Sequence, residues 1–154
     1  MIMRKINKII IHCSATPEGR NIKMETIKSW HVKGRGWSDI GYHFVIELDG
    51  TLKVGRHMEK MGAGVKGQNN NSIHVCYIGG IDKSKNPKDT RTQEQREMLN
   101  TIIGRLLEQY PDASIHGHNE FSNKACPSFD VQKEFGKPKK ATPKKSKSTP
   151  KSID

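Results

Sequence analysis

Short apolar runs separated by turn residues mark out a series of strands in the first half of the chain. Residues 8–13 contain three consecutive isoleucines, which is typical of a buried strand, and residues 16–19 interrupt it with a proline and a glycine. Residues 41–48 form a second apolar run, which ends at an Asp-Gly pair and is followed by residues 51–54. Because Asp-Gly between two such runs favours a tight turn, we predict a β-hairpin here.

Two other segments show helical periodicity. The first spans residues 23–33, is closed by Gly34, and places four side chains on one face: Met24, Ile27, Trp30 and His31. The second follows a capping box, in which Thr92 is the cap and Gln95 stands three residues further on. Its apolar stripe runs through Met98, Leu99, Ile102, Ile103, Leu106, Leu107 and Tyr110. We therefore predict two helices, of which the second is the longer.

The remaining segments alternate between loops and short strands. Residues 62–72 are rich in glycine and asparagine and predict a loop, whereas residues 73–78 have the apolar composition of a strand. Residues 113–116 predict one more brief strand, and residues 118–129 predict irregular structure. Strands interleaved with helices in a short chain predict an α/β (α+β) domain, with a central mixed β-sheet flanked by helices.

A change in composition near the C-terminus divides the chain of 154 residues. Residues 131–154 hold eight lysines against two acidic residues, so they carry more than half of the formal net charge of +11. From residue 137 onward, Lys, Pro, Ser and Thr leave almost no apolar surface to bury. We therefore predict a single folded domain over residues 1–136 and a disordered basic tail over residues 137–154.

Targeting signals and cysteine usage restrict where the chain is made. No segment approaches the roughly 18 to 20 consecutive apolar residues of a membrane span, and the N-terminal apolar run is too short for a secretory signal peptide. We therefore predict synthesis in the cytoplasm without a signal peptide. Cys13, Cys76 and Cys126 are an odd count with wide spacing, which disfavours a disulfide framework and favours free thiols or metal ligation.

Three side chains form a candidate metal-binding set. His12 lies near the end of the first predicted strand, and His118 and Cys126 lie eight residues apart on a predicted loop. Two imidazoles and one thiolate form a known ligand set of catalytic zinc, which leaves the fourth position to water. The spacing matches no short zinc signature, and His116 competes with His118 as a ligand. The residues alone therefore leave a metal site as one interpretation among several.

Four short segments, in their order along the chain, strongly resemble one enzyme family. They are residues 11–16 (IHCSAT), 41–44 (GYHF), 67–73 (GQNNNSI) and 124–130 (KACPSFD). The chain resembles the zinc-dependent N-acetylmuramoyl-L-alanine amidases of the phage lysozyme type, which are relatives of peptidoglycan recognition proteins. The resemblance extends from about residue 8 to residue 135 and implies the fold of that family.

The resemblance also implies an activity and a set of site residues. The family hydrolyses the amide bond between N-acetylmuramic acid and L-alanine in bacterial peptidoglycan. Its single zinc ion would be held here by His12, His118 and Cys126, and its catalytic tyrosine and lysine fall on Tyr42 and Lys124. A cation beside the metal would stabilise the oxyanion, and a hydroxyl would orient the attacking water or help to move a proton.

Further assignments concern the surroundings of these residues. His118 is preferred to His116 because it keeps the family's spacing to the cysteine ligand. Cys13 alternates with a ligand along a strand, which assigns it to the core. Gly64 stands where the phage enzymes commonly carry a histidine, which puts a role for the Gly-rich loop in doubt and predicts lower activity. Glu120 is the candidate hydrogen-bond partner of His118.

Two other functions remain open at this point. One is a protein that binds muropeptides without cutting them, and the other is a regulator that binds nucleic acid or a polymerase through its basic surface. The lysine-rich tail predicts contact with anionic polymers, with a purely solubilising tail as the alternative. A monomer is expected, and a cell-wall enzyme without a signal peptide would reach peptidoglycan after release or export by another route.

Overall fold

The computed structural model describes residues 4–136, and within this range the chain forms seven strands and three α-helices. The strands are β1 (Lys8–Cys13), β2 (Thr16–Pro17), β3 (Phe44–Ile46), β4 (Leu52–Val54), β5 (Ser72–Tyr77), β6 (Gly80–Ile81) and β7 (Ser114–Gly117). The helices are α1 (Met24–Ser29), α2 (Gln93–Gln109) and α3 (Val131–Phe135). A π-helical turn, Trp30–Gly34, extends α1, and a 3₁₀ turn, His118–Glu120, follows β7.

A five-stranded mixed sheet in the order β4-β3-β5-β1-β7 forms the centre of the domain. Strands β1, β3, β5 and β7 run parallel to one another, and β4 pairs antiparallel with β3 through the predicted Asp-Gly hairpin. Strands β2 and β6 form a separate two-stranded pair. The arrangement confirms the predicted α+β class and places the carboxyl ends of β1 and β7 at one edge of the sheet.

Helix α2 covers one face of this sheet. Its start is fixed by the predicted capping box, since Thr92 Oγ1 accepts from the Gln95 amide at 3.0 Å and Gln95 Oε1 accepts from the Thr92 amide at 2.9 Å. Alternate positions of the strands pack with the helix stripe in one cluster, which includes Ile9, Ile11, Ile73, Val75, Leu99, Ile102 and Leu106. Burial of this apolar surface is the main force that holds the helix to the sheet.

The opposite face of the sheet carries polar side chains. Successive residues of a strand point to opposite faces, so His12 and His74 alternate with the isoleucines and valines that face α2. Cys13 belongs to the cluster under α2, which confirms its assignment to the core. A smaller apolar cluster supports the histidine face, and its members are Ile22, Ile27, Ile40, Val45, Cys76 and Ile78.

The structure departs from the sequence-based elements in three places. Residues 16 and 17, which were predicted to end the first strand, form a short strand of their own that pairs with Gly80 and Ile81. The first helix is regular only to Ser29, and Trp30, which was expected on its buried face, is 45% exposed. The short helix α3 was not predicted. His31, which follows Trp30, is buried as the spacing indicated, so the π-helical turn leaves this part of the predicted face in place.

The sequence also predicted that no segment spans a membrane and that the last residues form a basic tail. Among the helices of residues 4–136, none combines the length and the apolar character that crossing a bilayer requires. The predicted basic tail, residues 137–154, lies outside the described residues.

Candidate metal centre

Two parallel strands bring the candidate ligands together. Gly117 of β7 lies beside Ile11 of β1, so His118, the next residue, lies beside His12. The two imidazole centroids are 5.0 Å apart. Cys126 comes from the loop before α3, and its Sγ lies 4.0 Å from Nδ1 of His12. Three segments that are distant in sequence therefore converge at one edge of the sheet.

The donor atoms of these three side chains fit a zinc ion. One atom from each of His12, His118 and Cys126 lies within 4.8 Å of the other two, and within residues 4–136 this is the one such group of potential ligands. Ligands about 2.0–2.3 Å from a tetrahedral zinc ion stand roughly 3.4–3.8 Å apart, so side-chain shifts of about 1 Å would close the set. Two nitrogens and one sulfur also match the ligand chemistry of zinc.

Burial sets the protonation of the candidate ligands. It lowers the pKa of His12 well below its ordinary value, and burial together with Lys124 lowers the pKa of His118. Both imidazoles are therefore neutral at pH 7 and can offer a lone pair. A hydrogen bond with the side chain of Cys13, together with burial, raises the pKa of the Cys126 thiol. Metal binding therefore has to displace the proton of this thiol.

Hydrogen bonds hold the cysteine loop against the sheet. The amide of Cys13 donates to Sγ of Cys126 at 3.1 Å. The hydroxyl of Tyr77, on the neighbouring strand β5, donates to the carbonyl of Pro127 at 2.6 Å. The backbone of β1 thus holds the thiol of Cys126 directly, and Tyr77 holds the loop at the next residue, Pro127.

A buried arginine fastens the same loop to α3. The guanidinium of Arg91 lies 3.5 Å from the centroid of the Phe129 ring. It also forms ion pairs with Asp89 at 2.8 Å and with Glu134 at 2.7 Å, while its own side chain is only 1% exposed. The two carboxylates compensate the burial of the positive charge, so Arg91 ties the segment of Asp89, the loop before α3 and α3 itself together.

Replacing Arg91 with methionine should lower the free energy of unfolding by about 3 kcal/mol, because it removes the partner of Glu134 and one of the two partners of Asp89. Urea denaturation followed by circular dichroism measures this loss. Arg96→Met is the matched control, since Arg96 also pairs with Asp89 at 3.1 Å but is 42% exposed. The control should change stability by less than about 1 kcal/mol. Equal losses in the two variants would contradict the role of Arg91.

His116, the competing ligand, is engaged elsewhere. Its Nε2 lies 2.7 Å from Oγ of Ser114, and its Nδ1 lies 2.7 Å from Oε1 of Glu120. Glu120 also accepts from the amide of Gly117 at 2.9 Å. The prediction that Glu120 supports His118 was therefore wrong, because the 3₁₀ turn directs the carboxylate back towards His116. With both ring nitrogens in use, His116 offers no lone pair to a metal.

The predicted tyrosine and lysine lie at the rim of the candidate centre. The Tyr42 ring is half-buried, and its centroid is 4.9 Å from that of His12. Burial raises the pKa of its hydroxyl well above the ordinary value, so the hydroxyl stays protonated at pH 7. Lys124 is exposed, and its charge is close enough to His118 to lower the pKa of that imidazole. The structure thus brings both residues near the ligands.

A further histidine, His74, lies directly behind His12. Its Nδ1 is 2.9 Å from Nε2 of His12, and its own Nε2 is 2.8 Å from Oδ1 of Asn69. Burial lowers the pKa of His74 to about 3, so the ring is neutral. Sequence reasoning missed His74 and Asn69, although the alternation of β5 was a usable signal that His74 shares a face with the other strand histidine.

Gly64 makes room for this pair of imidazoles. A Cβ at this position would lie 2.5 Å from Nδ1 of His74 and 2.8 Å from Nε2 of His12. The Gly-rich loop therefore forms a wall of the candidate centre, although its predicted importance was in doubt. A side chain at residue 64 and the observed position of His74 exclude each other on steric grounds.

Comparison with known proteins gives consistent matches over this part of the chain. The family model described as N-acetylmuramoyl-L-alanine amidase matches residues 3–129. The endolysin of Enterobacteria phage K11 is 42% identical over 130 residues, which cover 84% of this chain and 85% of the relative. The endolysin of Escherichia phage T7 is 42% identical over 125 residues, which cover 81% of this chain and 82% of the relative.

Solved structures share the fold. The N-acetylmuramoyl-L-alanine amidase LysC from Clostridium intestinale superposes with a TM-score of 0.71 at 26% identity, covering 85% of this chain and 82% of that one. A bumblebee peptidoglycan recognition protein, PGRP-SA, superposes with a TM-score of 0.73 at 25% identity, covering 92% and 88% of the two chains. The fold is therefore shared by enzymes and by recognition proteins.

Proposed function

Because the chain belongs to the N-acetylmuramoyl-L-alanine amidase family, we propose that it cuts the bond between N-acetylmuramic acid and L-alanine with one zinc ion held by His12, His118 and Cys126. The convergence of the three donor atoms to within 4.8 Å carries this proposal. When bound, zinc would polarise the scissile carbonyl and lower the pKa of a water molecule to about 7. Tyr42 and Lys124 would act beside this ion, since Tyr42 packs against His12 and the charge of Lys124 is felt at His118.

Tyr42 acts in this proposal as a hydrogen-bond donor. Its hydroxyl keeps its proton at pH 7, because burial raises its pKa. A protonated phenol can orient the oxygen of the substrate or of water, but it cannot take up a proton as a base. Its ring packs 4.9 Å from that of His12, which holds the hydroxyl near the ligands at little entropic cost. Of the two roles that the resemblance implied for Tyr42, orienting the water or moving a proton, this favours orientation by a donated hydrogen bond.

Lys124 supplies positive charge where the carbonyl oxygen becomes negative. The residue lies two positions before the ligand Cys126, on the segment that the hydrogen bonds of the cysteine loop fix in place. Its effect on the pKa of His118 is consistent with an ammonium close to the metal ligands. A preorganised cation contributes more to the transition state than to the neutral amide, so it raises kcat more than it lowers KM.

Digestion of purified peptidoglycan tests the reaction. The zinc-loaded protein should release stem peptides with a free N-terminal L-alanine, which mass spectrometry of the soluble products identifies. A chelator should stop the release, and one equivalent of zinc should restore it. Cleavage of a glycan or a peptide-peptide bond instead would contradict the assigned bond, and full activity in the chelator would contradict the zinc mechanism.

Two alternatives make different predictions in the same experiment. A muropeptide-binding protein would retain soluble muropeptides on a column without releasing any product. Its recognition would not require the thiol of Cys126, so the presence of that ligand favours the enzyme. A regulator acting through the basic tail would bind DNA in a salt-sensitive way, and deletion of residues 137–154 would remove the binding. The phage endolysins among the relatives favour a setting in which the enzyme meets the wall after release from the cell.

Gly64→Ala should reduce both zinc affinity and hydrolysis by more than tenfold, because the new methyl group would force His12 or His74 out of place. Isothermal titration with zinc and the peptidoglycan assay measure the two effects. Gly104→Ala is the matched control, since a Cβ at Gly104 meets nothing within 4 Å. In the middle of α2 the control should leave activity unchanged and stabilise the fold by about 1 kcal/mol. Wild-type activity in Gly64→Ala would show that the loop has no role in the centre.

A further inference from the structure

We propose that His74, backed by Asn69, is a positioning residue that fixes the tautomer and the ring orientation of the metal ligand His12. The inference rests on the proposed zinc site, because it concerns the direction in which the lone pair of one ligand points. Three steps lead to it: the hydrogen bond from His74 to Asn69, the hydrogen bond from His12 to His74, and the rigidity of both.

The first step identifies Asn69 Oδ1 as an acceptor. The backbone amides of Gly64 and Val65 both donate to this atom, each at 3.0 Å. An atom that accepts two N–H groups is the carbonyl oxygen of the side-chain amide. The third neighbour of the same atom is Nε2 of His74, at 2.8 Å. Nε2 of His74 therefore carries a hydrogen and donates it to Asn69.

The second step passes from His74 to His12. A neutral imidazole has one N–H group, so a hydrogen on Nε2 leaves Nδ1 of His74 as an acceptor. That Nδ1 lies 2.9 Å from Nε2 of His12. Nε2 of His12 is therefore the donor of this hydrogen bond, and Nδ1 of His12 keeps the lone pair. This lone pair is on the side of Cys126, whose Sγ is 4.0 Å away.

The third step concerns the residues that hold this chain of hydrogen bonds in place. His74 lies in the interior of β5 with no exposed surface, and its ring stacks on that of His43 at an interplanar angle of 4°. Arg4 holds the loop that carries Asn69, since its guanidinium donates to the carbonyls of Asn69 at 3.0 Å and Ser72 at 2.9 Å. His12 is thus oriented before any metal arrives, which lowers the cost of ordering the ligand.

Nitrogen-15 NMR of histidine-labelled, metal-free protein tests the tautomer directly. We expect His12 and His74 to carry their hydrogens on Nε2 in the wild type. His74→Asn keeps an acceptor oxygen near the position of Nδ1, so His12 should keep its tautomer. His74→Leu removes the acceptor at similar volume, so His12 should change to the other tautomer or to a mixture. A hydrogen on Nδ1 of His12 in the wild type would overturn the inference, whether or not the protein binds zinc.

Zinc affinity, measured by competition with a chromophoric chelator, provides the second readout. We expect His74→Leu to bind zinc about tenfold more weakly than the wild type, and His74→Asn to lie within about threefold of it. Asn69→Ala removes the acceptor of the His74 hydrogen bond and leaves both imidazole rings intact. It should also bind zinc more weakly than the wild type, and it provides the test if His74→Leu fails to fold. Unchanged affinity in both His74→Leu and Asn69→Ala would overturn the inference. Absence of zinc binding by the wild type would instead overturn the proposed zinc mechanism and leave the tautomer assignment standing.

Discussion

Cys126→Ser should reduce peptidoglycan hydrolysis at least about a thousandfold, because the proposed reaction depends on a metal that lowers the pKa of water from 15.7 to about 7. Serine keeps the size of the side chain but is not deprotonated at pH 7, so it cannot replace a thiolate ligand. The loss should appear in kcat together with a loss of bound zinc, which elemental analysis of the dialysed protein measures.

Cys13→Ala is the matched control for this substitution. Cys13→Ala retains the backbone amide that donates to Sγ of Cys126, and it removes a core side chain whose hydrogen bond raises the pKa of the Cys126 thiol. The control should keep zinc and most of the activity while losing roughly 1 kcal/mol of stability from the smaller core side chain. If Cys13→Ala lost zinc as well, or if Cys126→Ser kept its activity, the assignment of the thiolate ligand would be wrong.

Lys124→Ala should lower kcat about a hundredfold, with a small change in KM, because in the proposed reaction the lysine acts on the charge that develops in the transition state. Zinc affinity should stay the same or rise slightly, since the variant removes a positive charge near His118. Steady-state kinetics on a soluble muropeptide separates kcat from KM, and the zinc titration excludes loss of metal as the cause.

Two further variants sharpen the test of Lys124. Lys124→Arg keeps the charge in a different geometry and should recover part of the lost rate. Lys133→Ala removes another exposed lysine, from α3, and should have no effect on kcat. A rise in KM with unchanged kcat in Lys124→Ala would show that the lysine binds the substrate and does not assist the chemical step.

The sequence predicted most of the fold because its strands and its long helix have strong local signals. The isoleucines of residues 9–11, the Asp-Gly turn and the capping box at Thr92 each specify their element without help from the rest of the chain. The π-helical turn at Trp30 was missed, since the apolar spacing of residues 24–31 fits a regular helix and contains no mark of the extra residue in the turn.

The candidate centre was less accessible to reasoning from residues alone. Its ligands come from β1, from the end of β7 and from a loop, so their proximity depends on strand order, which no local pattern contains. The family resemblance supplied that missing information for His12, His118 and Cys126. It could not supply His74, because the resemblance assigned no role to that position. Glu120 was assigned to the wrong imidazole for a related reason, since residue spacing does not specify the direction of a 3₁₀ turn.

The pairing of β1 with the cysteine loop has a consequence for the order of folding. The ligands His12 and Cys126 are separated by 114 residues, so a bound ion would act as a cross-link that closes most of the domain into one loop. During synthesis from the N-terminus, the strand that carries His12 emerges long before its partners. We therefore expect the centre to assemble only after nearly the whole domain has left the ribosome, so that prematurely terminated chains carry no hydrolytic activity. In the finished protein, zinc would hold the first strand and the last loop together and stabilise the native state in proportion to the logarithm of its free concentration.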